Sequence, residues 1–375
     1  MKLKKLFAGI VAVAMMATMA IPGFAAGAVK KNETVDVTEN KVEITVKYEG
    51  AGFGSDKIKL TLDSAAPYAI KNSSKTLADV AGKTISVSTT ETTVTETTGE
   101  NKATLEVTLP SYDNVGTYFY KLQQAEGKTA GMKYDTAQLY LMVNVINADA
   151  ENASGAYLCK AALFKDTDPT TYTTDTALGA AKIDCLTNKY TNGQFKATKK
   201  VKGNMADRNE TFNFQAKFTK AADLTVNGNI NAKIANATVA ALNEELNWTA
   251  NPDGTVSAIK DFTLQHGQSA EFTNIPNGMT ITVYEVAVAE DGSKTELKKD
   301  DLIDTYKVDC NEATQTLTVD SKNNETSGST TIINDSQVNV NTGVILDNAP
   351  YIALLTIVAA GAVVMIMKKR RNYED

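Results

Sequence analysis

The residues able to carry out covalent or metal chemistry are few in this chain. It contains one histidine and three cysteines among 375 residues. His266 lies in Leu264-Gln-His-Gly-Gln268, whose glycine indicates a turn. One histidine cannot supply a metal site, or a nucleophile-activating pair with its supporting residues. We interpret His266 as a solvated loop residue, and we expect no metal site, no cofactor and no enzyme acting on a substrate.

Two of the cysteines could form a disulfide. Cys159 and Cys185 lie in the strand-like runs Tyr157–Phe164 and Ala180–Thr187, which the polar, Thr-rich segment 165–178 separates. If these runs form a hairpin, the two sulfurs fall nearly opposite each other, within reach of a bridge. Two buried free thiols are the alternative.

Most of the chain has the pattern of β-strands. Short runs alternate apolar and polar residues, are rich in Thr, Val and Tyr, and end at Gly, Asn or Asp; examples are Val42–Val46, Thr104–Leu109, Leu139–Val145, Thr211–Phe218 and Thr280–Val288. Only Ala235–Asn247 favours a short helix. Many short strands at regular spacing predict an all-β fold, with immunoglobulin-like β-sandwich domains in tandem.

A weak internal duplication indicates two such domains. In each half a glycine leads into an aromatic strand and a later strand ends in Asn: Gly116–Gln124 with Leu186-Thr-Asn188, then Gly278–Glu285 with Ile332-Ile-Asn334. Polar residues and a glycine intervene near Tyr190–Gln194. We therefore predict a first domain over residues 29–194 and a second domain over residues 195–338.

The two ends of the chain indicate export. Residues 1–28 have the basic start, short apolar stretch and small residues of a signal peptide, with cleavage after Ala25, Ala26 or Ala28. The alternative is an uncleaved N-terminal anchor. Residues 351–367 carry no charge and are followed by Lys368-Lys-Arg-Arg371, as in a transmembrane helix with a cytoplasmic tail. The segment between these ends is expected outside the cell.

The charge balance is mildly acidic, with 38 Lys and Arg against 44 Asp and Glu. Nucleic-acid binding would call for a clustered basic face, so we expect no nucleic-acid partner.

Asn339-Val-Asn-Thr-Gly343 stands just before the apolar span. Together with the span and the basic tail it resembles a sortase sorting signal, and we assign residues 339–375 to that signal. Family members commonly have proline where this chain has Asn341. The resemblance implies that sortase cleaves between Thr342 and Gly343, that Thr342 becomes the acyl donor, and that the protein is anchored to the cell wall. A plain single-span membrane protein is the alternative.

The start of the second domain, Phe195-Lys-Ala-Thr-Lys-Lys-Val201, resembles the two-domain shaft pilins of Gram-positive bacteria, of the streptococcal T-antigen type. Further matching stretches are Phe262–Gln268, Phe272–Gly278 and Thr331–Asn334. The resemblance implies a spontaneous amide between Lys199 on the first strand and Asn334 on the last, with Glu285 as the proton shuttle. Burial favours the neutral forms of lysine and glutamate, which this reaction requires.

The first domain matches less closely. By the same resemblance Lys47 and Asn188 occupy the lysine and asparagine positions, but Gln124 stands at the acid position. An amide cannot relay a proton, so a bond in this domain would need another acid, such as Glu126.

The resemblance also implies a lysine that attacks the sortase-bound threonine of the next subunit. In such pilins it precedes the last-strand Asn of the first domain by several residues. Lys182 is the candidate, although its offset from Asn188 is one residue short, and Lys189 or Lys165 are alternatives.

These features predict a structural major pilin subunit, secreted and polymerised by a pilus-specific sortase into a covalent pilus on the cell surface. Its expected partners are that sortase, further copies of itself, minor or tip pilins, peptidoglycan and an unknown surface ligand. A monomeric wall-anchored adhesin or minor pilin on the same scaffold is the alternative. A surface hydrolase is disfavoured by the lack of a Ser/His/Asp set, a metal cluster or a phosphate loop.

Overall fold

The structure is a computed structural model and describes residues 27–30, 40–147, 156–309, 314–320 and 326–338. The predicted sorting signal, including Thr342, Gly343 and the apolar span 351–367, lies outside these residues, as do residues 1–26 of the predicted signal peptide. Within the described part of the chain no helix is long and apolar enough to cross a membrane.

The first half of the chain forms a β-sandwich. Its elements are β1 (Gly27–Lys30), β2 (Lys41–Glu49), β3 (Ser55–Ile58), β4 (Leu60–Lys71), β5 (Ser86–Val87), β6 (Thr92–Thr95), β7 (Asn101–Thr108), β8 (Gly116–Gln124), β9 (Met132–Lys133), β10 (Gln138–Asn147), β11 (Ala156–Lys165), a 3₁₀ turn (Pro169–Thr171), α1 (Asp175–Ala180), β12 (Lys182–Ile183) and β13 (Cys185–Tyr190). One sheet has the order β1-β11-β10-β8-β4, with β12 on β11, and the facing sheet has the order β5-β7-β2-β13-β9. Strands β3 and β6 form a small separate ribbon.

The second half repeats this architecture. Its elements are β14 (Asn192–Lys202), β15 (Phe212–Ala221), β16 (Asn231–Ile234), β17 (Ala237–Val239), α2 (Leu242–Glu245), β18 (Thr249–Ala250), β19 (Thr255–Leu264), β20 (Ser269–Pro276), β21 (Thr280–Val288), β22 (Lys294–Glu296), β23 (Leu302–Ile303), β24 (Tyr306–Val308), β25 (Thr314–Thr318) and β26 (Ser327–Ser336). The sheets have the orders β17-β16-β20-β14-β26-β24-β23 and β18-β19-β15-β21-β22, with β25 on β21. The predicted all-β class with two tandem immunoglobulin-like sandwiches is confirmed.

Alternation along the strands builds a main core in each half, and a smaller buried cluster of Phe119, Met142, Ala162 and Phe164 packs beside the first. In β2 the buried residues are Val42, Ile44, Val46 and Tyr48, and the residues between them face outward. One buried cluster runs from Val42 to Tyr190 and the other from Phe195 to Ile332. Each core lies between the two sheets of its half, because successive side chains of a strand point to opposite faces.

In both halves the first long strand pairs in parallel with the last one. Strand β13 runs alongside β2, and β26 runs alongside β14. These parallel pairs bring together residues that lie far apart in sequence.

The predicted helix at Ala235–Asn247 is mostly wrong. Ala235 and Asn236 have φ values of 47° and 73°, so the chain turns sharply there and returns as strand β17. A left-handed φ at Ala241 precedes α2, which covers only Leu242–Glu245. Backbone in this region cannot continue a right-handed helix.

The two halves are joined end to end with a dense polar contact. Only Thr191 separates β13 from β14. Across the junction the side-chain amide of Asn274 donates to the Gly52 carbonyl at 2.7 Å. A side chain at Gly228 would collide with the Gly52 carbonyl oxygen, so the close approach of the two backbones requires glycine.

Candidate functional site

Three buried polar side chains meet inside the second sandwich. The Lys199 Nζ lies 2.7 Å from Glu285 Oε2, and the Asn334 Nδ2 donates to Glu285 Oε1 at 2.7 Å. All three side chains are 0 % exposed. Glu285 therefore holds an amine and a carboxamide against one carboxyl group, out of contact with water.

Strand register places these residues. Lys199 on β14 pairs with Ile332, and Asn334 follows two residues later on β26, so that both side chains face the core. Glu285 comes from β21 in the opposite sheet. Lysine and asparagine thus stand on neighbouring parallel strands, with the acid between them from across the sandwich.

Aromatic rings form the apolar wall of the site. Lys199 Nζ lies 4.1 Å from the centroid of the Phe212 ring and 5.5 Å from that of Phe214. Both rings are buried. The Lys199 amine therefore lies in an apolar pocket from which water is excluded.

One atom of the cluster has no hydrogen-bond partner. Asn334 Oδ1 is buried without a donor among the described residues. Turning the amide by half a revolution places Oδ1 against Glu285, which donates to it when protonated. That arrangement polarises the carboxamide carbon that the lysine would attack.

The corresponding position of the first sandwich has different residues. Asn188 on β13 pairs with Tyr48 on β2, and Asn334 on β26 pairs with Val201 on β14. Lys199 lies two residues before Val201, so its equivalent in the first sandwich is Val46, which lies two residues before Tyr48. Val46 is 0 % exposed, and the buried Gln124 stands where Glu285 stands in the second domain, with its Nε2 2.9 Å from Asn188 Oδ1. The first site therefore contains an asparagine but neither a lysine nor an acid.

The predicted crosslink between Lys47 and Asn188 is accordingly wrong. Lys47 points to the outer face of β2, with its Nζ 3.5 Å from exposed Glu100, whereas Asn188 is fully buried. A strand places neighbouring residues on opposite faces, so the lysine cannot reach the core. Glu126 is exposed and does not replace the missing acid.

Sequence alternation could have revealed this difference. On β14 every second residue faces the core, and these positions are Phe195, Ala197, Lys199 and Val201. An inward-facing lysine could therefore be predicted from the alternation in the sequence. In β2 the alternating apolar residues that face the core include Val46, whereas Lys47 falls on the opposite face.

Lys182 lies at the edge of the first sandwich. It lies on β12, pairs with Phe164 of β11 and is half-buried, and burial lowers the pKa of its amine. By contrast, Lys165 is ion-paired with Asp135 at 2.8 Å. Lys189 is exposed. Lys182 therefore has a partly exposed side chain and an amine whose pKa is shifted toward the neutral form.

The two cysteines described by the structure are free thiols, so the predicted disulfide is wrong. Cys159 is in the first core, on β11, and burial raises the pKa of its thiol to about 12. Cys185 is on β13 in the other sheet, where Leu186 and Asn188 are the residues that face the core. The two runs pair only where β12 meets the end of β11, at Leu163 with Ile183 and Phe164 with Lys182. The chain then passes to the other sheet at Cys185, so the two sulfurs do not lie opposite each other.

His266 lies in the turn between β19 and β20 and is half-buried. Its Nδ1 accepts a hydrogen bond from the backbone N–H of Val201 at 2.9 Å. This hydrogen bond holds the turn against β14. In the described part of the chain no group of three His, Cys, Asp or Glu side chains could hold a metal ion.

Comparison with known proteins gives one curated relative above chance similarity. It is a pilin of Streptococcus pyogenes serotype M1, 25 % identical over 300 residues, which covers 76 % of this chain and 79 % of the relative. The predicted resemblance to pilins is confirmed. In addition, residues 193–336 match a family model described as a domain of unknown function, DUF7601.

Solved structures of pilins also overlap with the chain. The crystal structure of the major pilin of S. pyogenes covers 79 % of this chain and 98 % of its own, with 18 % identity and a TM-score of 0.43. A second major pilin of that species covers 83 % of this chain and 100 % of its own, with 16 % identity and a TM-score of 0.41. Overlaps at this level do not bear on function.

Proposed function

We propose that this chain is the shaft subunit of a covalent pilus, stiffened by one internal amide in its second domain. The buried cluster of Lys199, Glu285 and Asn334 is the observation that carries the proposal. The similarity to a streptococcal pilin supports the same assignment.

The internal reaction needs no external reagent. The neutral Lys199 amine attacks the Asn334 side-chain carbonyl carbon, and a new nitrogen–carbon bond forms as the bond from that carbon to Nδ2 breaks. Glu285 gives a proton to the departing nitrogen and takes one from the attacking amine. Ammonia leaves, no electrons are transferred, and the reaction takes place once per chain.

The proposed bond has a mechanical consequence. It would join the first strand of the second domain, β14, to its last strand, β26. Tension applied along the chain would pass through the amide, and the residues between Lys199 and Asn334 could not be extended. A shaft subunit, which carries load for the whole fibre, benefits from this arrangement.

Polymerisation requires a second lysine that a sortase can reach, for which we propose the half-buried Lys182. A sortase would cleave after Thr342 and transfer that threonine to the Lys182 amine of the next copy. The lowered pKa of this amine increases its nucleophilic fraction at neutral pH. In this proposal the finished polymer is attached to the cell wall.

The test is an immunoblot of cell-wall extracts boiled in denaturant. We expect a ladder of high-mass species that resists boiling and collapses to a monomer in a Lys182→Ala strain. Lys189→Ala serves as the matched control and should keep the ladder. A single monomer-sized band from the unmodified, expressed chain would refute the shaft assignment and favour a monomeric anchored adhesin. A ladder that persists in the Lys182→Ala strain would refute only the assignment of the linking lysine.

A further inference from the structure

One sheet of the first domain is apolar on its outer face as well as on the face that lines the core. Strands β8, β10 and β11 carry there a buried cluster, here called the outer cluster, of Phe119, Met142, Ala162 and Phe164. The sheet that carries Glu285 in the second domain differs, because the outward residues of its strand β15 are the partly exposed Asn213, Gln215, Lys217 and Thr219. A strand that is apolar on both faces must be covered on both. The first domain therefore needs an outer cover that β15 does not need.

This cover is the strap, defined as residues 166–181, which connects β11 to β12. Near its end, Leu178 of helix α1 and Ala181, which caps that helix, are half-buried and pack against the outer cluster. Near its start, Asp168 Oδ1 accepts a hydrogen bond from the Tyr68 hydroxyl at 2.7 Å. Tyr68 lies on β4 and packs against the outer cluster itself. The strap is thus attached to the sheet near both of its ends.

Lys182 follows the strap directly and depends on it for its position. Strand β12 has two residues, and its pairing with β11 is limited to two residue pairs, one of which joins Lys182 to Phe164. So short a pairing is not stable by itself. The helix that Ala181 caps therefore determines where the chain enters β12. Because residues directly opposite in an antiparallel pair share a face, the Lys182 side chain lies on the same face as Phe164 and the strap.

The position beside the strap affects the chemistry of the Lys182 amine. The side chain is half-buried, and burial lowers the pKa of the amine. A lysine on a loose segment would be fully solvated, and almost all of its amine would be protonated at neutral pH. Attack on an acyl group requires the neutral amine in a defined direction. Both conditions depend on the strap remaining in place.

We propose that Tyr68, Asp168 and Leu178 are positioning residues that hold the strap on the outer cluster and thereby present the Lys182 amine to the acyl donor of another copy. This proposal rests on the proposed function and on Lys182 as the linking residue. In the linking step the Lys182 nitrogen bonds to the Thr342 carbonyl carbon as the bond from that carbon to the sortase breaks. The proton that the amine loses passes to the departing sortase group. The three positioning residues act on this step only through the strap.

Weakening the strap should leave the first domain folded. The main core lies on the other face of the sheet, and Tyr68 and Leu178 pack against the outer cluster instead. Tyr68→Phe removes one hydroxyl group, and Leu178→Ala removes the apolar contact of α1. Tyr157→Phe is the matched control, because the Tyr157 hydroxyl donates to the Asp113 carbonyl at 3.0 Å, on β11 but seven residues before Phe164.

The first measurement is the pH profile of Lys182 acetylation, followed by peptide mass spectrometry on the unpolymerised full chain from cells without a sortase. The midpoint of this profile reports the pKa of the amine and does not depend on steric access. We expect Tyr68→Phe and Leu178→Ala to move the midpoint upward, toward that of exposed Lys189, and Tyr157→Phe to leave it unchanged. An unchanged midpoint in both strap variants overturns the proposal.

The second measurement is the boiling-resistant ladder in cells that contain the sortase. Both strap variants should give a weaker ladder than the unmodified chain, and Tyr157→Phe should give a full one. Full ladders from both strap variants, or an equal loss in Tyr157→Phe, overturn the positioning role and leave the shaft assignment standing. Absence of any ladder from the unmodified chain overturns the shaft assignment, and the positioning role with it.

Discussion

Replacing Asn334 with alanine is the sharpest perturbation of the proposed crosslink. Asn334 supplies the carbon that the lysine attacks, so Asn334→Ala removes the bond and keeps the pair of Lys199 and Glu285, whose polar atoms are 2.7 Å apart. Changing the lysine instead would leave a cavity beside Phe212 and a buried carboxyl group without its partner, which would complicate the result.

The expected loss of stability follows from the loop that the bond closes. Roughly 135 residues lie between the joined positions, and the chain-entropy relation used for disulfides gives about 5 kcal/mol for a loop of this size. We therefore expect Asn334→Ala to lower the free energy of unfolding of the second domain by about 5 kcal/mol.

The assay uses the single tryptophan of the chain. Trp248 is packed against the core of the second domain, so its fluorescence in urea reports on the unfolding of that domain. The intact mass of the soluble fragment 29–338 is measured in parallel, and the unmodified chain should be lighter than its sequence by one ammonia. Asn334→Ala should show the full mass of its own sequence.

Asn188→Ala is the matched control, because Asn188 is equally buried but has no lysine beside it in the core. It should leave the mass deficit and the urea midpoint reported by Trp248 unchanged. The crosslink would be refuted if the unmodified chain had its full sequence mass. Equal shifts of the Trp248 midpoint in the two variants would refute the stability argument.

Three further predictions concern the first domain. Val46→Lys together with Gln124→Glu should install a second amide to Asn188, seen as the loss of a second ammonia, and a chain that keeps a single deficit would contradict the equivalence of the two sites. Iodoacetamide should label Cys185 in the native protein and Cys159 only after unfolding, because burial raises the pKa of the Cys159 thiol to about 12. Peptide mapping that finds both cysteines labelled equally in the native protein would contradict this prediction. An acetylating reagent at neutral pH should modify Lys182 faster than fully exposed lysines, because burial lowers the pKa of Lys182 and the neutral amine is the nucleophile. The rates are measured by peptide mass spectrometry. A slower rate at Lys182 would show that steric protection dominates over the pKa shift.

Much of this architecture could be predicted from the chain alone. Strand alternation is a local property, and it determined the all-β class. The same alternation distinguishes Lys199, which faces the core, from Lys47, which faces outward. The prediction for the first domain matched the motif without using this alternation, and it therefore selected the wrong residue. The disulfide prediction failed for a different reason, because the predicted hairpin pairs only over β12 and the chain then enters the other sheet at Cys185.

The sequence by itself determined the residue types of the site and the side of the strand on which each lies. It also determined the strand lengths and the sparse inventory of reactive groups. Only the tertiary structure decided that Lys199, Glu285 and Asn334 meet, since they come from three strands in two sheets and are joined by a parallel register of distant segments. The tertiary structure also decided that Val46 occupies the lysine position of the first domain. Pairing between distant strands depends on the packing of the whole core, which no local pattern encodes.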